Sequence, residues 1–159
     1  WISKHDMVWC ENKHGEYKKP NLSSKDNLKD MTIVTSKNHR NQILQNLIKK
    51  VNFKKVIVMG SIGCKIASIL RGESDIYICL SLPGESSPKD WDFSAPAEIL
   101  KTAGGAITNL NNEELIFGNS SFQQGGIIIA SSNSNNHERM CLEIKDVICK
   151  YGLYPLNIN

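Results

Sequence analysis

Three short segments bring hydroxyl, imidazole, ammonium and carboxylate groups to places where a β-rich or loop run gives way to a helical pattern. They are Ser36-Lys37-Asn38-His39, Gly60-Ser61-Ile62-Gly63-Cys64-Lys65 and Lys89-Asp90-Trp91-Asp92. A helix start offers free backbone N–H groups and a partial positive charge, which suits an anion such as a phosphate. At the first junction the Ser36 hydroxyl and the His39 imidazole could hold one. Ser36 or Asn38 could equally do no more than cap the helix, with His39 at the surface. At the second, two glycines allow close backbone approach, and Lys65 sits one turn in, where its ammonium could bend back to an anion. The Gly-Lys-Ser/Thr signature of a P-loop is missing, and a cap followed by a surface lysine accounts for the same residues. At the third, Pro96 lacks an N–H and belongs in a first helical turn, so the helix is expected to start near Phe93 with Asp92 at its lip. Asp92 is a capping residue unless other oxygen donors join it around Mg²⁺, which takes near-octahedral oxygen coordination.

The elements that must position these groups follow from periodicity. Met31–Thr35, Val56–Met59, Ile76–Leu80 and Gly126–Ala130 are short apolar, β-rich runs. Between and after them, Ile43, Leu44, Leu47, Ile48 and Val51 recur at helical spacing. So do Ile62, Ile66, Ile69 and Leu70 before Gly72, and Met140, Ile144, Val147, Ile148 and Tyr151 near the end. A further helix runs from about Phe93 to Ala103 and stops at Gly104-Gly105, while Pro83 to Pro88 is a turn-rich loop. Ala106–Thr108 and Leu115–Phe117 flank Asn111-Asn112 as a hairpin-like pair. Strands alternating with helices imply a layered α/β domain, with a mostly parallel or mixed sheet and flanking helices, over residues 31–154. Residues 155–159 read as a tail. Residues 1–30 are polar and irregular, with only Met7–Cys10 strand-like, and read as a remnant of an upstream unit or a linker.

Composition narrows the function classes. The 159 residues carry a net charge of +3, with 40% apolar and 22% charged residues, as in a soluble globular domain. The lysines are spread, with no basic stripe interleaved with aromatics, so no polymeric nucleic acid is expected as a partner, whereas a small anion is compatible. No apolar run approaches the roughly 18–20 residues that cross a bilayer, and no membrane partner is expected. The five cysteines are odd in number and include no Cys-x-x-Cys pair, which signals neither zinc nor a disulfide framework. Cys64, Cys79, Cys141 and Cys149 lie in apolar periodic segments and are expected as small core residues, in a cytoplasmic, reducing setting. A chain opening on Trp1-Ile2-Ser3-Lys4 is expected to be a piece of something longer.

Trp91-Asp92, then Ala95-Pro96, Ile99-Leu100 and Ala103-Gly104-Gly105, resemble a motif of the inositol monophosphatase superfamily, a Trp-Asp pair running into a helix that ends in Ala-Gly-Gly. Ser36 to His39 with Ser61 and Lys65, Gly72-Glu73-Ser74-Asp75-Ile76-Tyr77 and Asn111 to Leu115 look more like its 3′(2′),5′-bisphosphate nucleotidase branch than its inositol branch, and Thr35 to Asn41 with Ser87 to Asp92 resemble cyanobacterial-type members. The resemblance covers about Met31 to Tyr151 and implies the carboxyl-terminal half of that superfamily's fold. It implies Mg²⁺ as cofactor, Asp92 as a metal ligand, and Ser36, His39, Ser61 and Lys65 as contacts to a bound nucleotide phosphate. Ser at positions 36 and 61 replaces the Thr and Gly often found there. The superfamily's upstream Glu-Glu element and Asp-Pro-Ile/Leu-Asp-Gly-Thr motif are missing from this sequence. The implied activity is therefore that of the full-length protein, hydrolysing 3′-phosphoadenosine 5′-phosphate or its sulfated relative, and the isolated chain is expected to be inactive. Inositol monophosphatase or fructose-1,6-bisphosphatase activity, and a non-catalytic nucleotide-binding half-domain, are the alternatives. Trp1, Ile2, Met7, Val8 and Trp9 are expected to offer apolar surface to the missing amino-terminal half or to a self-association partner.

Overall fold

Ile- and Val-rich runs at residues 32–36, 55–59 and 76–81 become three parallel strands in the computed structural model, which describes residues 1–37 and 41–156. In chain order the strands are β1 (Ile2–Lys4), β2 (Met7–Glu11), β3 (Tyr17–Lys18), β4 (Thr32–Ser36), β5 (Lys55–Met59), β6 (Ile76–Ser81), β7 (Ala106–Asn109) and β8 (Gly126–Ser131). The helices are α1 (Gln42–Val51), α2 (Ile62–Leu70), α3 (Asp90–Thr102) and α4 (His137–Tyr151). A mixed five-stranded sheet runs β5-β4-β6-β8-β7, with β8 antiparallel to both β6 and β7. This is the layered α/β domain that the periodicity implies.

Side-chain alternation splits the core into two layers. Ile33, Ile76, Ile78, Leu80, Ile127 and Ile129 face α1 and α4, whereas Val34, Tyr77, Ile107, Ile128 and Ala130 face α2 and α3. Each buried Ile or Leu contributes about 1.5–3 kcal/mol of transfer free energy. Helix α1 buries Leu44, Leu47, Ile48 and Val51 and ends at Asn52, whose φ of 62° stops the helix. Its cap is Asn41, whose side chain accepts the Leu44 N–H at 2.9 Å, rather than Ser36 or Asn38. Gly72, after α2, has φ +72°, and a Cβ there would lie 2.6 Å from the Asn21 carbonyl oxygen. Both the backbone and the close approach demand glycine.

The leading thirty residues hold more structure than their patterning suggests. β1, β2 and β3 form an antiparallel meander whose outer strands are too short to show alternation. Trp1 packs, half-buried, against the α2–α3 layer. The following segment crosses the amino ends of the central strands. Asn21 N–H donates to the Leu70 carbonyl at 2.8 Å, Lys25 Nζ pairs with Asp75 at 2.9 Å, and Leu28 is buried.

Four local expectations need correction. Leu115–Phe117 is not a strand: Gln124 Nε2 takes the Ile116 carbonyl at 2.8 Å, and β7 pairs with β8 instead. Helix α3 starts at Asp90, not near Phe93, because the Asp90 N–H donates to Phe122 and the Asp92 carboxylate accepts the Lys89 N–H at 2.9 Å. Pro96 therefore lies inside the helix. Tyr151 is exposed at the end of α4, with Lys50 4.3 Å from its ring centroid. Cys64 and Cys149 are exposed, Cys79 is half-buried, and only Cys141 is a core residue. No helix among the described residues is long and apolar enough to cross a membrane.

Candidate functional site

The order of strands decides where a crevice opens. From β4 the chain goes to α1 on one face of the sheet, and from the adjacent β6 it goes to α3 on the other. Neighbouring strands whose connections part in opposite directions leave a crevice at their carboxyl ends, where ligands of open α/β sheets bind. A cleft of about 570 Å³ occupies that position. Ser36 at the end of β4, Ser61 and Lys65 at the start of α2, and Asp92 in the first turn of α3 all line it. His39 lies outside the described residues. Four of the five residues singled out in the sequence thus meet in one cavity.

Each has a local reason for its place. Ser61 caps α2, accepting the Cys64 N–H at 3.2 Å. The capping role and the cleft position coexist, because the cap sits where the helix N-terminus faces the cleft. Lys65 is 1% exposed, so it is not the surface lysine that spacing alone allows. Its Nζ donates to the Gly60 carbonyl at 2.5 Å and stands 5.2 Å from the centroid of the Tyr77 ring. None of the ion pairs among the described residues includes it. Burial lowers its pKa from the ordinary lysine value, and Cys79 and Cys64 nearby offset part of that fall. An ammonium taken out of water without a carboxylate is costly unless an anion completes its surroundings.

The floor of the cleft is the face of β6 carrying Tyr77, Cys79 and Ser81. Burial pushes the Tyr77 phenol well above its usual range, and its hydroxyl interacts with the Cys79 and Ser36 side chains. Burial likewise raises Cys79, against smaller opposing effects of Tyr77, Lys65 and Ser81. Both groups are neutral at neutral pH and give Lys65 no counter-charge, and Lys65 is the one cationic side chain among the described lining residues. Asp92 and Glu85 are the lining carboxylates. One Asp92 oxygen, Oδ2, accepts the Lys89 N–H, while its other oxygen has no protein donor among the described residues. The cleft is therefore bipolar.

Sequence reasoning missed Tyr77, Cys79, Ser81, Glu85 and Ser87. Tyr77 and Cys79 belong to the run expected as a buried strand, and β6 carries that strand one residue further, to Ser81. Their period of two places them on one face, and the polarity of that face rises toward the carboxyl end of β6, which was the available signal. Glu85 and Ser87 sit in the turn-rich loop, whose path no local pattern specifies. Among the described residues no three His, Cys, Asp or Glu side chains come together as a metal-holding group. Asp92 can supply one oxygen to a hard cation, and a full Mg²⁺ shell needs donors from beyond these residues.

The model of the inositol monophosphatase family matches residues 3–148 of the chain. A mouse protein, 3′(2′),5′-bisphosphate nucleotidase 1, is 34% identical over 83 residues, covering 52% of this chain and 26% of its own length. The 3′(2′),5′-bisphosphate nucleotidase CysQ of Buchnera aphidicola is 30% identical over 117 residues, 74% of this chain and 41% of that protein. Among solved structures, the Thermotoga maritima IMPase superposes with a TM-score of 0.62 at 18% identity, covering 84% of this chain and 47% of its own. Mycobacterium tuberculosis SuhB gives 0.63 at 15% identity, covering 89% and 51%. The chain thus spans about half the length of these solved relatives and less of the curated ones.

Proposed function

The chain belongs to the inositol monophosphatase family, and from that premise we propose that it is the nucleotide-gripping part of a magnesium-dependent phosphatase acting on 3′-phosphoadenosine 5′-phosphate or its sulfated relative. The observation that carries this reading is Lys65, a buried ammonium in a cleft wall with a carbonyl and a ring for partners but no carboxylate. Ser36, Ser61 and Lys65 surround the phosphate that is not cleaved, and His39 is assigned to the same phosphate from the sequence resemblance alone. The N-terminal N–H groups of α2 add to the positive field there. The identities to two bisphosphate nucleotidases support the choice of substrate.

Asp92, across the cleft, is the residue of this chain that would hold Mg²⁺. Bound Mg²⁺ ions in such a site polarise the phosphoryl group and make a water nucleophilic. The remaining ligands belong to the rest of the protein. Met7 and Tyr17 stand exposed around Trp9, whose buried indole N–H has no acceptor among the described residues, and this supports the meander as the face that meets the remainder of the protein or a second copy. Five free thiols agree with a reducing, cytoplasmic setting.

A substrate panel with the full-length protein tests the reading. Lys65→Met is expected to weaken 3′-phosphoadenosine 5′-phosphate about ten- to a hundredfold, the worth of one charge-assisted contact. Inositol monophosphate, which has no second phosphate, should be nearly unaffected. An equal loss on both would remove the nucleotide assignment and leave the inositol monophosphatase or fructose-1,6-bisphosphatase alternatives.

A further inference from the structure

The wall of the cleft that carries Asp92 is not held by α3 alone. Residues 88–90 and 122–124 run side by side, joined by the Gln124 N–H to the Pro88 carbonyl at 2.8 Å and the Asp90 N–H to the Phe122 carbonyl at 2.9 Å. Ser87 Oγ donates to Gln123 Oε1 at 3.0 Å. At the centre lies the Asp90 carboxylate, almost fully buried. Its Oδ2 accepts the Gly118 N–H at 2.6 Å, and its Oδ1 accepts from Gln124 Nε2 at 2.7 Å. The same Gln124 amide donates to the Ile116 carbonyl. No cation pairs with Asp90 among the described residues, so these neutral donors alone compensate its burial.

That arrangement has no evident use in packing. The segment it fixes points Ile116, Phe117 and Phe122 outward, with Trp91 6.2 Å from Phe122 between ring centroids. What it does hold are Ser87, Pro88 and Asp92, three lining residues, against the first turn of α3. We propose that Asp90 is a positioning residue. By tying the 116–124 segment to the start of α3 through Gly118 and Gln124, it fixes the cleft wall on which Asp92 stands. The proposal deepens the functional reading and rests on the cleft being the ligand site. In chemical terms, a site must be held within a fraction of an ångström by side chains that are themselves locked.

Cys79 gives a readout that needs no ligand. It lies half-buried on the cleft floor and feels the charge of Asp92. Cys64 is exposed on α2 outside the cleft lining, and Cys141 is buried on the far face of the sheet. Peptide-resolved alkylation by iodoacetamide on the 159-residue chain therefore separates a displaced wall from general loosening. In Asp90→Ala, Cys79 is expected to react about tenfold faster, with faster amide exchange at residues 90–93 and 118, while Cys64 and Cys141 keep their wild-type rates. Asp90→Asn, which keeps one acceptor, should fall between. If Asp90→Ala does not fold, the Asn variant decides by the same comparison. An unchanged Cys79 rate overturns the proposal, as does a parallel rise at Cys141, which would mark a purely structural role. A titration with adenosine 5′-monophosphate runs alongside. If the wild-type chain does not bind it, the functional reading fails, while the thiol comparison still judges Asp90.

Discussion

At the amino end of β6 the buried carboxylate of Asp75 accepts the Thr32 N–H at 2.6 Å and Lys25 Nζ at 2.9 Å. Beyond the carboxyl ends of the same parallel strands, the buried ammonium of Lys65 meets a carbonyl and an aromatic face. The two ends share one fold and bury charge to a similar degree, yet one charge is met by a counter-ion, and is saturated in that sense, while the other has none among the described residues. His137, next to Ser131 at the saturated end, follows the rule. Ser131 Oγ lies 2.7 Å from Nδ1 and Thr108 Oγ1 2.8 Å from Nε2. The Thr108 hydroxyl donates to the Asn109 carbonyl at 2.8 Å, whereas the Ser131 hydroxyl is 3.4 Å from its other acceptor, the Asn133 carbonyl, so Nε2 carries the proton and Nδ1 accepts from Ser131. Burial of a polar group whose partners are complete serves the fold, and burial of one left incomplete marks a ligand site.

The sharpest way to probe the saturated end is acid. Burial lowers the His137 pKa to about 4 from its ordinary 6.5. Between those values the unfolded chain binds the extra proton, so stability is complete above about pH 6.5 and falls as pH drops toward 4. The loss should reach about 3 kcal/mol. Denaturant midpoints at pH 7, 5.5 and 4 check it, and His137→Gln should flatten that part of the profile. A wild-type profile as flat as the variant's would remove His137 from the saturated set.

Next in size is a pair of substitutions with opposite consequences. Asp75→Ala leaves the Thr32 N–H without its acceptor and should lower stability by about 2–3 kcal/mol while sparing the cleft. Lys65→Met removes a charge buried without a counter-ion and should leave the midpoint unchanged or higher. Thermal melts decide, and a Lys65→Met protein as unstable as Asp75→Ala would erase the contrast between the two ends. Smallest is Ser61→Ala, where losing the α2 cap should cost about 1 kcal/mol. Because Ser61 also lines the cleft, calorimetry should show weaker adenosine 5′-monophosphate binding in the same protein.

Much of the fold was legible because its core strands and helices carry strong periods. Ile33 and Val34, Leu44 and Leu47, Ile66 and Ile69 declare their faces within a few residues. The cleft was legible in part for a related reason: strand-to-helix junctions are local, and Ser36, Ser61, Lys65 and Asp92 each sit on one. What escaped depends on partners distant in sequence. Leu115–Phe117 looks like a strand, but Asp90 and Gln124 claim its neighbourhood through side chains. The start of α3 was displaced by Phe122, 32 residues downstream of Asp90, through one backbone hydrogen bond. Lys65 was ambiguous between surface and site because spacing specifies the turn of a helix but not what covers it.

Strand β5 ends the sheet, and that has a bearing on how the molecule behaves in crowded solution. Val56 and Val58 are exposed on it, and the backbone groups along its outer side have no strand to meet among the described residues. A row of free N–H and C=O groups beside branched apolar side chains is a template for edge-to-edge growth. Lys54 and Lys55 stand at its beginning. Their like charges repel a second copy approaching in register, over a Debye length of about 8 Å at physiological ionic strength. Colloidal stability at that edge is thus electrostatic rather than steric, and concentrated salt, which leaves the packed core untouched, is what weakens it.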